Sequence, residues 1–279
     1  MTARTVFTIG LNKYYDFQVY DVNAAFLNGD LEEEIYLELP EGFDHPPGTI
    51  VQLCKAMYGL VQAARMWMKK KTKILKGFGF KRCKSDPCMF TRKLPNGEHL
   101  YVIVYVDDCV VIGPTDYATS FIQTIGKLID IKVLGQLKRY NGGDYKFDKE
   151  MRTLTITQTD LIMKLAKDMK LIDTKTPGSS NVIQEKYSGD TAVNLKLYQQ
   201  KVGVILYITK TSRPDIANQA RELSQFMSHP GPSISYLYST MEIGLTLGAI
   251  NGLTRNMTVT GYCDSDFASN KDDHRSVIL

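Results

Sequence analysis

The stretch LYVIVYVDDCVVIG, residues 100–113, places Tyr105-Val106-Asp107-Asp108 between two short apolar runs, residues 100–104 and 109–112. Both runs are rich in β-branched residues, which predicts the two buried strands of a hairpin that ends at Gly113-Pro114. The acidic pair is therefore predicted to lie in the tight turn. It is either a solvated turn or a divalent-metal site, because neighbouring carboxylates repel each other unless a cation neutralises them.

A second acidic strand end, at Asp21, favours the metal site. Residues 17–22 are a strand candidate, and the following Asn28-Gly29-Asp30 is a strong turn signal. Two-metal phosphoryl transfer needs carboxylates from two strands that converge on ions about 3.5–4 Å apart. Asp21, together with Asp107 and Asp108, would supply those carboxylates.

Residues 60–76 predict an amphipathic helix that ends at Gly77. Its predicted apolar face consists of Leu60, Ala64, Trp67, Met68 and Leu75. Another face carries a basic stripe, which we define as Arg65, Lys69, Lys73 and Lys76. A basic stripe is often only a solvated helix face. Six basic residues with no acidic one between positions 65 and 76 favour contacts with nucleic-acid phosphates instead.

Composition gives the outer bounds. The chain has 279 residues, 43% of them hydrophobic, so it is long enough for two or three subdomains with their own cores. Its formal net charge is only +4, so the basic excess is local, which suits a single binding cleft better than a histone-like binder. Five cysteines without a Cys-x-x-Cys spacing predict reduced thiols and no structural zinc. We see neither a signal peptide nor an apolar run that approaches a membrane span, and expect an intracellular protein.

The rest of the chain shows further periodic segments. A helix is predicted around residues 116–130, a hairpin at 145–147 and 153–157, and a helix capped by Thr159 or Asp160. A polar linker is predicted at 174–190. Three more helices follow, at about 195–209, 214–227 and 234–250.

Several of these stretches resemble, in order, the reverse transcriptases of copia-type retrotransposons. The matching segments are residues 21–36 (DVNAAFLNGDLEEEIY), 40–43 (PEGF), 53–67 (LCKAMYGLVQAARMW), 79–81 (GFK), 86–90 (DPCMF), the Tyr-Val-Asp-Asp hairpin, 211–216 (TSRPDI) and 261–266 (GYCDSD). They cover essentially the whole chain, and ordered agreement of many motifs is far more specific than one pattern.

The resemblance implies an α+β fold: a palm with a ferredoxin-like antiparallel sheet and helices, a mainly helical thumb and connection, and the first strand of a ribonuclease H-like domain. The implied divisions are residues 1–135 for the palm with partial fingers and 136–190 for the primer-grip hairpin, first thumb helix and linker. Residues 191–255 would form the helical thumb and connection, and 256–279 a shortened start of the ribonuclease H-like domain. We expect a piece of a longer Pol polyprotein, shortened at both ends.

The resemblance also implies roles for individual residues. Asp21, Asp107 and Asp108, with the backbone carbonyl of Val22, would bind two Mg²⁺ ions, for which Mn²⁺ could substitute. Phe26 would be the steric gate that excludes a ribose 2′-hydroxyl, although a core aromatic is the plainer interpretation. Gln62 would contact the incoming nucleotide or the template base.

The remaining expectations concern partners and alternatives. The resemblance implies an RNA template, a DNA primer or RNA–DNA hybrid, dNTPs and other Pol or Gag products as partners, but no membrane. It implies a cytoplasmic location in virus-like particles or a nuclear one. Asp264 would be a ribonuclease H remnant. The alternative function is a catalytically inactive relic or a domesticated nucleic-acid-binding protein. A nucleotidyl cyclase, hinted at by Gly142-Gly143-Asp144, does not fit the order of the motifs.

Overall fold

The computed structural model describes residues 2–46, 48–148, 150–169, 195–225, 240 and 242–248. The helices within these ranges are α1 Thr2–Asn12, α2 Ala63–Gly77, α3 Thr115–Ile125, α4 Thr159–Met169, α5 Leu195–Thr211 and α6 Ala217–Gln225. The strands are β1 Asp16–Val22, β2 Tyr36–Glu38, β3 Ile50–Gln52, β4 Lys81–Arg82, β5 Met89–Lys93, β6 His99–Tyr105, β7 Asp108–Gly113, β8 Ile131–Gln136, β9 Arg139–Tyr140, β10 Gly143–Asp148, β11 Thr153–Thr157 and β12 Leu245–Gly248. Two short 3₁₀ helices cover Ala25–Asn28 and Pro214–Ile216.

The central feature is a six-stranded sheet with the order β4-β5-β6-β7-β1-β8, in which every neighbouring pair is antiparallel. One face of this sheet packs against α2 and α3, and the core there includes Trp67, Leu75 and Phe121. The other face packs against α1 and the β10–β11 hairpin. Strand β7 is therefore covered on both faces, which explains its continuous apolar sequence.

A second antiparallel sheet has the order β12-β11-β10-β9. Strands β9 and β10 are joined by the two-residue turn Asn141-Gly142, in which both residues have positive φ, 42° and 68°. Asn and Gly are the residues that such hairpin turns favour. The turn is anchored to α5, because the hydroxyl of Tyr207 donates a hydrogen bond to the carbonyl oxygen of Asn141.

The helices α4, α5 and α6 share a separate apolar cluster that contains Ile162, Ile205 and Leu223. Beside this cluster the guanidinium of Arg213 is fully buried. It pairs with Asp215 at 2.7 Å and donates to the carbonyl oxygen of Thr240, also at 2.7 Å. Part of the 211–216 motif thus joins the start of α6 to residue 240.

The mixed fold with antiparallel sheets confirms the coarse prediction. The hairpin, β1, α2, α4, α5 and the β10–β11 pair lie where the sequence predicted them, within a few residues. The predicted helix at 214–227 consists of a 3₁₀ turn followed by α6. Residues 170–190, 226–239 and 249–279, which hold the linker, part of the last predicted helix and the ribonuclease H-like segment, lie outside the described residues.

Two boundary predictions were wrong. Helix α3 ends at Ile125 rather than at 130, and the chain then enters β8, a strand the sequence did not reveal. The predicted helix at 234–250 fails at its end, where β12 pairs with β11 instead. Glycine explains the second error: a Cβ at Gly244 would lie 2.4 Å from the carbonyl oxygen of Ile156, so only glycine permits this approach.

Two residue placements, those of Asp108 and Ala64, were also wrong, and the burial of Lys71 was not predicted. Asp108 belongs to β7 rather than to the turn, which consists of Val106 and Asp107 alone. Ala64, assigned to the apolar face of α2, is exposed. Lys71 is fully buried: its ammonium lies 5.3 and 5.1 Å from the ring centres of Tyr20 and Trp67 and donates to the thiol of Cys109. Cation–π contacts and the long aliphatic stem make this burial tolerable.

The β6–β7 hairpin depends on its buried core side chains. We expect Leu100→Ala, at a fully buried site on β6, to lower the free energy of unfolding by about 2–5 kcal/mol, because it removes apolar contacts and leaves a cavity. Leu128→Ala is the matched control, since Leu128 is 63% exposed, and should change stability by less than about 0.5 kcal/mol. Urea denaturation measures both. Equal effects for the two variants would contradict the assigned core.

Candidate active site

Two of the three predicted metal-binding carboxylates lie side by side on neighbouring strands of the sheet. Asp21 on β1 and Asp108 on β7 are directly opposite residues of the antiparallel pair, and both are half-buried. Asp107 lies next to them in the hairpin turn, where its carbonyl oxygen accepts a hydrogen bond from the N–H of Val22 at 3.1 Å. Like charges placed directly opposite each other are destabilising, so the arrangement requires an explanation other than stability.

A hydrogen bond from helix α2 stabilises the turn that carries Asp107. The indole N–H of Trp67, a fully buried residue, donates a 2.7 Å hydrogen bond to the carbonyl oxygen of Val106. Val106 itself has a φ of 53°, a left-handed conformation that is unfavourable for a β-branched residue. Such strained residues persist only where the surroundings enforce them, and they cluster at functional sites.

The carboxylates influence one another electrostatically. The pKa of Asp108 is raised above its ordinary value, chiefly because partial burial removes water and then because Asp107 and Asp21 are close; Lys71 opposes the shift. Carboxylate oxygens that repel one another are suitable donors for a hard divalent cation. The chemistry of the donor set therefore fits a magnesium ion. Within the described ranges, however, no group of three or more His, Cys, Asp or Glu side chains is close enough to hold a metal ion.

Phe26 follows Asp21 by five positions and lies on the 3₁₀ helix Ala25–Asn28. Its ring is half-buried and packs against the core beside α2. It also contacts the ring of Tyr58, with 4.4 Å between the ring centres. The predictions did not include Tyr58, since the contact joins segments 32 positions apart and has no local sequence signal.

Gln62 and Lys69 both contact an acidic segment, residues 30–34. The side-chain amide of Gln62 donates to the carboxylate of Glu33 at 3.1 Å, and Lys69 forms an ion pair with Glu32. Lys55 and Lys70 pair with Asp30 and lower its pKa to about 2. No local sequence signal indicates that this acidic segment covers one edge of α2.

The basic stripe is exposed along its whole length and lines a surface groove of about 640 Å³. Arg82 on β4 adds a fifth basic side chain, which the sequence analysis missed, while Met68 and Thr72 complete the lining. The residues of the stripe do share one face of α2, as their spacing predicted. Val22 ends β1 beside the carboxylates with a buried side chain, and Asp264 lies outside the described residues.

Comparison with known proteins identifies the family. The profile of a family described as "Reverse transcriptase (RNA-dependent DNA polymerase)" matches residues 4–181. The chain belongs to the reverse transcriptase family. The matched segment contains the paired carboxylates, Phe26, Tyr58 and the basic stripe, so the site lies within the region that defines the family.

Relatives of this reverse transcriptase family member are transposon proteins. The chain is 28% identical to the retrovirus-related Pol polyprotein from transposon TNT 1-94 of Nicotiana tabacum and 30% identical to that from transposon RE1 of Arabidopsis thaliana, in each case over 99% of this chain. It spans only 22% and 19% of those two polyproteins. The putative transposon Ty5-1 protein of Saccharomyces cerevisiae is 29% identical over 90% of this chain and 84% of its own length. These matches confirm the predicted relationship to retrotransposon Pol proteins.

Two further observations describe this family member. None of the helices in the described part of the chain is long and apolar enough to cross a membrane. The four cysteines that the structure describes, Cys54, Cys83, Cys88 and Cys109, are free thiols, and Cys109 is buried.

The raised pKa of Asp108 predicts a pH-dependent stability. Its pKa is higher in the folded than in the unfolded chain, so the folded state loses stability as pH rises through that interval. We expect Asp108→Asn to increase the free energy of unfolding near neutral pH in metal-free buffer. The gain should vanish below the ordinary pKa of a carboxyl group, where the aspartate is neutral as well.

Urea denaturation at several pH values in the presence of a chelator measures this difference. Asp44→Asn is the control, because Asp44 is exposed in a loop. A stability gain for Asp108→Asn that stayed constant across the pH range would exclude the electrostatic explanation.

Proposed function

We propose that this chain is the RNA-directed DNA polymerase of a copia-type retrotransposon, and that it adds dNTPs to the 3′-end of a primer on an RNA template. The observation that carries the proposal is the register that sets Asp21 opposite Asp108 at the strand ends, beside Asp107. Membership of the reverse transcriptase family supports it. Like-charged side chains in this arrangement destabilise the protein, so stability does not explain them. Phosphoryl transfer would explain them, because it uses carboxylates to bind metal ions.

The three carboxylates, with the backbone carbonyl of Val22, would hold two Mg²⁺ ions, for which Mn²⁺ could substitute. When bound, such ions lower the pKa of the primer 3′-hydroxyl and stabilise the charge on the leaving pyrophosphate. The protein contributes rigidity: two of the carboxylates are on paired strands, and Trp67 fixes the third through the turn. Ligands held by such supported elements lose little entropy when they bind.

Phe26 and Gln62 would act on the incoming nucleotide. The ring of Phe26 would lie beneath the sugar and exclude a 2′-hydroxyl, so that dNTPs are preferred over ribonucleotides. Gln62 would contact the nucleotide or the template base opposite it. Because the Gln62 amide is hydrogen-bonded to Glu33, this role requires it to exchange one partner for another.

The basic stripe and Arg82 would bind the phosphates of the template strand. Their groove lies along α2, the helix whose Trp67 supports the hairpin turn. A row of exposed basic side chains along one helix face is the electrostatic pattern of a backbone contact. Lys69 would exchange its ion pair with Glu32 for a phosphate.

The architecture is compatible with the subdomains of a reverse transcriptase. The six-stranded sheet with α2 and α3 would be the palm with partial fingers, the β9–β10 turn the primer grip, and α5 with α6 the thumb and connection. Partners would be an RNA template, a DNA primer or RNA–DNA hybrid, dNTPs and other Pol or Gag products. We propose an intracellular site of action, in cytoplasmic virus-like particles or in the nucleus.

Primer extension on an RNA template with Mg²⁺ and dNTPs tests the activity. We expect the unsubstituted chain to extend the primer and Asp108→Asn to reduce the rate by at least about a hundredfold, since it removes one charge-stabilising ligand. Asp44→Asn should extend normally. If neither the unsubstituted chain nor any variant extends a primer, the polymerase proposal is wrong for this chain, although its family remains.

The salt dependence of nucleic-acid binding tests the groove. We expect Lys73→Gln to weaken binding of a primer–template similarly for all sequences and to lower the slope of log K against log salt by about 1, because one phosphate contact is lost. Lys13→Gln, at an exposed lysine just after α1, should leave the slope unchanged. Fluorescence anisotropy at several salt concentrations measures both. Identical slopes for the two variants would place the nucleic acid elsewhere.

A further inference from the structure

Tyr58 is the one aromatic residue that packs on the ring of Phe26 within the described chain. The two ring centres are 4.4 Å apart and the ring planes are inclined by 46°. Tyr58 is nevertheless 53% exposed, so the contact is made at the surface of the site rather than in the core. Because burial in the core does not hold Tyr58 in this position, the backbone that carries it is important.

The backbone around Tyr58 forms a tight turn. The N–H of Leu60 donates to the carbonyl oxygen of Met57 at 3.2 Å, and Gly59, the third residue of the turn, has a φ of 103°. A positive φ at the third position is typical of a type II turn, which favours Gly or Asn there. The turn therefore presents Tyr58 at its tip.

The same turn is tied to the segment that carries Phe26. The N–H of Ala56 donates to the carbonyl oxygen of Gly29 at 2.9 Å, and the N–H of Gly29 donates to that of Phe26 at 2.8 Å. Two consecutive backbone hydrogen bonds thus connect the base of the turn with the 3₁₀ helix. The spacing between the two rings is consequently set by the backbone as well as by their own contact.

The phenol of Tyr58 is coupled electrostatically to two of the carboxylates. Its pKa is raised, first by partial desolvation and then by the negative charges of Asp107 and Asp21. The contact between Phe26 and Tyr58 is therefore within electrostatic range of these carboxylates.

We propose that Tyr58 is a positioning residue that holds the ring of Phe26 in place and thereby sets how strongly the site rejects ribonucleotides. The inference rests on the proposed polymerase function and on the gate role of Phe26. A ring can exclude a hydroxyl group only if it does not move aside, and Phe26 is only partly buried against the core. The contact with Tyr58 adds a second restraint on the ring.

The test compares incorporation of a dNTP with that of the matching ribonucleotide, as the ratio of the two kcat/KM values. We expect Tyr58→Leu to lower this ratio by roughly three- to tenfold, and Tyr58→Phe, which keeps the ring, to retain it within about twofold, since the aromatic contact supplies the discrimination. The change should arise from faster ribonucleotide incorporation. Tyr36→Leu is the matched control, at a tyrosine of similar exposure, 57%, on the peripheral strand β2.

A second measurement does not depend on turnover. In a double-mutant cycle, the effects of Phe26→Leu and Tyr58→Leu on the denaturation midpoint should be non-additive, because the two side chains touch. Additive effects would overturn the inference. Stability of the single Tyr58 variants close to that of the unsubstituted chain would show that they fold.

The outcomes separate this inference from the polymerase proposal. If the unsubstituted chain extends no primer, the proposed function fails and the inference fails with it. If it extends primers but Tyr58→Leu keeps the discrimination ratio, only the inference is overturned. A loss with Tyr58→Phe equal to that with Tyr58→Leu would also overturn it, because the hydroxyl group rather than the ring would then be responsible.

Discussion

The pairing of β1 with β7 is the constraint on which the candidate site depends. Side chains alternate between the two faces of a strand, so the register that sets Asp21 opposite Asp108 also sends Tyr20 and Cys109 into the core beneath α2. A slip of one residue would exchange the side chains of the two faces, each of which is fitted to its own buried cluster. The hydrophobic effect therefore enforces an acidic pairing that electrostatics alone would oppose.

Two features of the site show that the local preferences of its residues conflict with the fold. Asp108 carries a raised pKa, and Val106 adopts a left-handed backbone conformation that suits glycine better than a β-branched residue. Both are held by their surroundings: β7 is buried along its length, and the Trp67 indole fixes the carbonyl of Val106. Conflict between local preference and the global fold is expected at functional sites rather than in the rest of a structure.

The sequence predicted the elements whose signal is local. The apolar runs around Asp107, the strand before Asp21 and the helical period of α2 each depend on neighbours a few positions away. The features that it missed arise from distant contacts: β12 exists because glycines let it approach β11, and Lys71 is buried because two aromatic rings and a thiol surround it. The Phe26–Tyr58 contact belongs to the same class. Periodicity and residue type contain no information about such partners.

The small net charge of the chain does not reveal that acidic and basic side chains are separated along α2. The acidic segment 30–34 engages Lys69, Lys70 and Gln62 along one edge of the helix. These pairs are exposed and so contribute only about 0–1 kcal/mol each. Phosphates along a nucleic-acid strand are a denser array of negative charge, and their binding also releases counterions. In the proposed binding mode, the exchange of these carboxylate partners for phosphates therefore costs little.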